Sequence, residues 1–262
     1  MRKLITLIVA LFMALSAHAD EVGIYSFLGT LGEKIPVFLR FAVNDDDIAV
    51  GEIIYTKHNI SIMVVGGVLN DDGWYYLNEY QPDGTITGMM TFKIESNENE
   101  RVSLTNGTWR DPKTDTVYQM KDFEDEEDAQ YGVFNVTDYL DYADPEDIGS
   151  YYAYSVWNSN SQSMVGGHVK FSKAGKYLLN FEVCNAPGGI AEFKNDPNRP
   201  AVLGKYTYNW FTYENVNECG YGFSAHFFKK FVVLKSMTGN ETLGCFGSGA
   251  GAAADGVYIK KK

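Results

Sequence analysis

Residues 35–56 read IPVFLRFAVNDDDIAVGEIIYT. Val37, Leu39, Phe41 and Val43 fall on one face of an extended chain, and Phe38, Arg40 and Ala42 on the other. Period-2 alternation of this kind marks a strand with one face toward a core. Asn44-Asp45-Asp46-Asp47 then supplies residues that tolerate turn geometry, and a second apolar run follows. Four residues are far too few for the crossover a parallel pair needs, so the two runs are predicted to form an antiparallel hairpin.

The same grammar extends in both directions. From Val22 to Phe123 the predicted strands are GIYSFLG, IPVFLRFAV, IAVGEIIYT, ISIMVVGGVL, WYYLNEY, ITGMMTFKI, RVSLTNGTW and TVYQMKDF. Short clusters separate them, among them Asn70-Asp71-Asp72-Gly73, Pro82-Asp83-Gly84 and Asp111-Pro112-Lys113. Eight consecutive antiparallel strands can pair the last with the first, giving an up-and-down barrel of lipocalin or avidin size. A two-sheet sandwich uses the same strand count and stays open as an alternative. Residues 20–123 are therefore expected to be one antiparallel β domain.

A second β region is predicted over 148–262. Its strands read SYYAYSVWN, SMVGGHVKFS, KYLLNFEV, GIAEF, GKYTYNWFTY, YGFSAHFF, KFVVLKSM and GVYIKK, with a bend near Lys229-Lys230. The fold class is all-β: two antiparallel barrel-like or sandwich domains, joined by an acidic connector over 124–147. Eleven carboxylates and no Lys or Arg lie between Asp122 and Asp147. A solvated linker is the plain interpretation, and binding of cations or a basic protein is the alternative. One short helix is expected in NVTDYLDYADPED, capped by Thr137 or Asp138, with Leu140 and Ala143 inward and a stop at Asp144-Pro145.

The ends of the chain bear on compartment. MRKLITLIVALFMALSAHAD has a basic head, an apolar run over Leu4–Leu15 and small residues at Ala17 and Ala19. It reads as a signal peptide, 1–19, cleaved after Ala19. About 12 apolar residues are too few to span a bilayer that needs roughly 20. A periplasmic or secreted protein is expected. Near the other end, Gly247, Gly249 and Ala252 spell the G-x-G-x-x-A of a dinucleotide turn. Only ten residues follow Ala252, with no room for the helix and strand such a turn feeds. A glycine turn leading into a last strand, Gly256–Ile259, is the expectation.

Three cysteines follow the leader: Cys184, Cys219 and Cys245. An oxidising compartment favours a bridge, and Cys219 with Cys245 is preferred because both lie in glycine-rich turns. Cys184 with Cys219 remains open. The net charge of −12 leaves no basic footprint for nucleic acid.

GTLGEKIPVFLRF, DGWYYLNEYQPDGTITGMMTF and NGTW together resemble a β domain of uncharacterised secreted bacterial proteins. CNAPGGIAEF and CFGSGAGAAADGVY are similar to elements of small Cys-containing periplasmic β domains. The resemblance implies an exported all-β protein. Some periplasmic β-barrels of related style inhibit lysozymes, but no inhibitor loop here matches theirs, so that activity is not carried over.

Nothing in the chain assembles a familiar catalytic motif. His58, His168 and His226 show no helical i, i+4 pairing, and no G-x-S-x-G elbow occurs. Glu52, Glu79 and Glu182 lie inside strands, where a lone acid is expected to face solvent. Aromatic stripes are the stronger signal. Trp74, Tyr76 and Tyr80 share one face of a strand, as do Tyr206, Tyr208 and Trp210. Such stripes serve as packing, or as a surface for a partner or ligand. The expectation is a non-enzymatic, cofactor-free and metal-free binding protein that recognises a protein partner or envelope component through these aromatics. A barrel carrying a small apolar ligand and an all-β hydrolase are the alternatives.

Overall fold

The computed structural model describes residues 23–70, 73–96, 102–126, 131–148, 151–185, 191–204, 210–215, 221–236 and 255–261. The leader, Tyr206, Tyr208, Cys219, Cys245 and the glycine turn at 247–252 lie outside the described residues.

The first eight strands are β1 (Gly23–Leu31), β2 (Ile35–Val43), β3 (Ile48–Tyr55), β4 (Ile60–Asn70), β5 (Trp74–Tyr80), β6 (Thr85–Ser96), β7 (Val102–Arg110) and β8 (Val117–Asp125). Each pairs antiparallel with the next. β1 also pairs with β8, Phe27 opposite Asp125 and Leu31 opposite Met120, across a bulge between Leu28 and Thr30. The ring is closed, so the first half is a barrel and not a sandwich.

Side chains fill its interior. Phe27, Val37, Leu39, Phe41, Ile53, Val64, Leu77 and Phe92 are fully buried there, with Met90, Leu104, Met120 and Phe123 beside them. Tyr25, Phe41, Tyr75 and Phe92 form a ring cluster at one end, with centroids 5.3–6.2 Å apart. Offset and tilted aromatic packing of this kind adds specificity beyond area burial.

The outer surface of β2–β5 is not left to water. Phe38 and Ala42, on the outward face of β2, are as buried as the inward residues. Residues 131–148 cover part of this surface. Tyr131 stacks on Phe38 at 4.2 Å, Phe134 is buried, and Tyr139, Leu140 and Tyr142 pack against the outer cluster, while Ala143 and Ile148 enter the core of the second β region. The expected helix is a single turn, α1 (Thr137–Leu140). Asn135 Oδ1, one residue outside the cap, accepts from the Thr137 backbone N–H and hydroxyl. The chain turns extended at Asp141, so the helix stops well before Asp144-Pro145.

The remaining strands are β9 (Tyr151–Asn158), β10 (Ser163–Gly175), β11 (Leu178–Asn185), β12 (Ala191–Lys194), β13 (Ala201–Val202), β14 (Trp210–Asn215), β15 (Tyr221–Phe227), β16 (Phe231–Ser236) and β17 (Gly256–Lys260). Their ladders run β12–β11–β10–β9–β17–β16–β15–β14, with β13 on the edge of β11. This sheet curls around its own core, where Phe181 meets Phe223 edge-on at 5.2 Å and Phe171 meets Phe227 at 4.8 Å. Among the described residues no ladder joins β14 to β12 or β13, so a second barrel is not shown. Nor is a disulfide seen among the described residues. Cys184 sits in β11 opposite His168.

The two halves are joined by more than the connector. β6 and β9 pair in parallel, Thr85 with Ser155 and Ile86 with Val156. A third apolar cluster lies between the barrel wall and β16–β17: Ile48, Val50, Val65, Tyr80 and Ile86 against Phe228, Phe231, Val233, Val257 and Ile259. β3 and β4 thereby read as near-continuous apolar runs because both of their faces are covered.

Candidate functional site

Where the barrel wall meets β17, four segments leave a groove of about 600 Å³. Ser61, Ile62 and Met63 come from the start of β4, and Tyr80, Gln81 and Pro82 from the end of β5. The turn Lys229-Lys230 and the end of β17, Ile259 to Lys261, complete it. Backbone bonds hold each wall. The β5–β6 turn is closed by Gly84 N–H to Gln81 O at 2.8 Å, the β15–β16 turn by Phe228 N–H to Phe231 O at 2.9 Å. Lys260 N–H donates to Lys230 O at 2.9 Å and Lys261 N–H to Tyr151 O at 3.0 Å.

The floor is apolar: Met63, the buried ring of Tyr80, and Ile259, with Ile62 beside them packing toward the barrel interior. Among the described lining residues are four lysines and no carboxylate. Lys229 is paired with Asp141, and this hydrogen bond holds its ammonium above the ordinary lysine range. Lys261 interacts with the Asp83 carboxylate, and the partners of the other side-chain contacts are a ring and backbone carbonyls. Lys230 Nζ lies 5.4 Å from the ring centroid of Tyr139, Lys260 Nζ donates to Asp147 O, and Lys261 Nζ to Asp83 O. Arg40, Glu52, Ser61 and Tyr139 form a polar network beside the groove. Arg40 Nε donates to Glu52 Oε1 at 2.8 Å, Ser61 Oγ donates to Glu52 Oε2, and Arg40 Nη1 donates to Gly132 O at 2.7 Å. Burial, then the Glu52 carboxylate, pushes the Tyr139 hydroxyl up to about 12.

Two further polar clusters stand out. Inside the barrel, Glu79 is 1 % exposed. It accepts from Tyr55 Oη and Trp109 Nε1, both at 2.7 Å, and from Thr87 Oγ1 at 3.3 Å. Desolvation outweighs these three donors and holds its carboxyl above the ordinary value. Gly88, opposite Glu79 in β6, makes the room, since a Cβ there would lie 2.5 Å from Trp109 Nε1. Outside the barrel, His226 Nδ1 lies 3.1 Å from Asp46 Oδ2 in the β2–β3 turn, and His226 Nε2 lies 3.2 Å from Ser224 Oγ. Lys235 Nζ donates to Asp46 O. The hydrogen bond from His226 lowers the Asp46 pKa, partly opposed by burial.

The expectation of solvated strand acids holds for Glu182, which is exposed. It fails for Glu79, which faces inward, and for Glu52, which faces outward but is buried beneath residues 131–148 and paired with Arg40. Trp74, Tyr76 and Tyr80 do share the outward face of β5. Tyr80 is buried as groove floor and interface, while Trp74 and Tyr76 are half-buried. Trp210 opens β14 opposite His226, and its side chain lies outside the described residues. The lysine rim was missed. Its signal was two Lys-Lys pairs, 229–230 and 260–261, in a strongly acidic chain.

Among the described residues, no three His, Cys, Asp or Glu side chains are grouped to hold a metal ion, and no helix is long and apolar enough to cross a membrane. Comparison with protein-family models, curated proteins and solved structures finds no match to this chain. The likeness carried by GTLGEKIPVFLRF, NGTW and CFGSGAGAAADGVY therefore identifies no family, and the all-β architecture with its eight-stranded barrel is what stands.

Proposed function

We propose that this is an exported, non-enzymatic binding protein that recognises a protein partner or envelope component through the lysine-rimmed groove. The observation that carries this is a concave apolar floor ringed by four ammoniums in a protein of net charge −12. Binding sites are commonly mostly apolar clefts with a few placed polar groups. The filled barrel interior favours this over a carrier with its ligand inside the barrel. In the same proposal the leader 1–19 directs export, and 124–147 connects the barrel to a second barrel-like or sandwich domain. Cys219 and Cys245 form its disulfide. Native mass spectrometry and pull-down from host envelope extract test the proposal, comparing the mature chain with the charge reversals K230E/K261E. The wild type is expected to retain a species that the variant loses. Equal retention by both would remove the groove from the account.

One observation favours a hydrolase as the second reading. Ser224 Oγ, His226 and Asp46 are linked in the order nucleophile, base, carboxylate, at 3.2 and 3.1 Å. Labelling by a fluorophosphonate probe that disappears in S224A supports it, and absence of labelling discards it.

A further inference from the structure

Resting on that groove as the binding site, we infer that its ligand is a free single-chain amphiphile with a carboxylate head, of the long-chain fatty acid class. The floor offers aliphatic and thioether surface from Ile259 and Met63 and the flat face of Tyr80. Met63 supplies an adaptable contact for a flexible chain. The groove's volume lies within the range usual for small-molecule sites.

The head group follows from the rim. Lys230 rests on a ring and Lys260 on a backbone carbonyl, so an arriving carboxylate replaces their neutral partners with ion pairs, while Lys261, bonded to the Asp83 carbonyl, already interacts with the Asp83 carboxylate. Lys229 already has Asp141 and contributes less. An acidic peptide fits less well. It brings an amide donor and acceptor at every residue, and among the described lining residues the uncharged polar side chains are Ser61, Gln81 and the phenol of Tyr80. The head sits at the rim because that is where the ammoniums of Lys230 and Lys260 stand, in a protein whose net charge of −12 otherwise repels anions.

Isothermal titration of the mature full-length chain with octanoate, decanoate and dodecanoate, each below its micellar concentration, tests this. Affinity is expected to rise about fourfold for each added methylene, the ratio that burying one such group implies. Dodecanol is expected to bind at least tenfold more weakly than dodecanoate, since it lacks the charge-assisted contacts. K230A/K261A is expected to lower dodecanoate affinity by about tenfold or more while leaving dodecanol unchanged. Equal affinities for acid and alcohol, no dependence on chain length, or binding that ignores the lysine substitutions would each overturn the inference. So would a titration without heat at several temperatures. In that event, loss of an envelope species by K230E/K261E would still uphold the groove as a site for a different ligand, and retention would remove both.

Discussion

Glu79→Gln is the sharpest test of how the barrel interior is built. Glu79 faces inward, nearly without solvent, and takes hydrogen bonds from Tyr55, Trp109 and Thr87. Gln keeps an acceptor oxygen for the two short bonds and removes the charge. The native carboxyl has a raised pKa because burial disfavours its ionised form. Its contribution to stability is therefore full below the unfolded value, near 4.5, and declines as pH rises through the native value. Each unit of elevation corresponds to about 1.4 kcal/mol. Urea denaturation at pH 4.5 and pH 8 should show wild type losing stability relative to E79Q on going up. Glu79→Ala acts differently: it strands two buried donors, at about 1–3 kcal/mol each, and leaves a cavity besides. E79A should thus be destabilised by several kcal/mol at both pH values. A wild type that gains on E79Q as pH rises would mean that the three donors outweigh desolvation, and an E79A of wild-type stability would refute the network itself.

Three other perturbations follow from named contacts. Arg40→Ala leaves Glu52 buried without its cation and should cost about 3–5 kcal/mol, whereas R40M/E52L should recover most of that loss; urea midpoints, with limited proteolysis of residues 131–140, check both. Gly88→Ala drives a methyl into the Glu79–Trp109 contact and should cost about 1–3 kcal/mol by overpacking; thermal melting reads it. Asp46→Asn removes a carboxyl whose native pKa is depressed chiefly by the His226 hydrogen bond, so its contribution is present above the unfolded pKa and fades as pH falls through the native one. The stability gap between wild type and D46N should therefore narrow as the pH falls through and below the unfolded value of 3.8.

The barrel was legible because each of its strands carries period-2 alternation and each break carries turn residues. The hairpin read from 35–56 has the register Val37 opposite Tyr55 through Val43 opposite Ala49. Which face points inward was harder. In β5, Trp74, Tyr76 and Tyr80 and the interleaved Tyr75, Leu77 and Glu79 are both partly apolar, because neighbouring structure covers the outside as well. A local pattern reports that two faces exist and leaves unstated what packs on each. The inward Glu79 was invisible for the same reason; its partners Tyr55 and Trp109 are distant in sequence, and Thr87 and Gly88 are the nearby clues. The groove was illegible because its walls come from four segments, spanning positions 61 to 261, and only tertiary packing brings the two lysine pairs together.

The central claim is that ligand binds outside a filled barrel, in the groove between its wall and β17. Methyl-labelled NMR during dodecanoate titration tests it most directly. The account predicts shifts confined to the Met63 and Ile259 methyls, with Leu77, Met90 and Met120 still. Shifts centred on Leu77, Met90 and Met120 would place the ligand inside the barrel and contradict it.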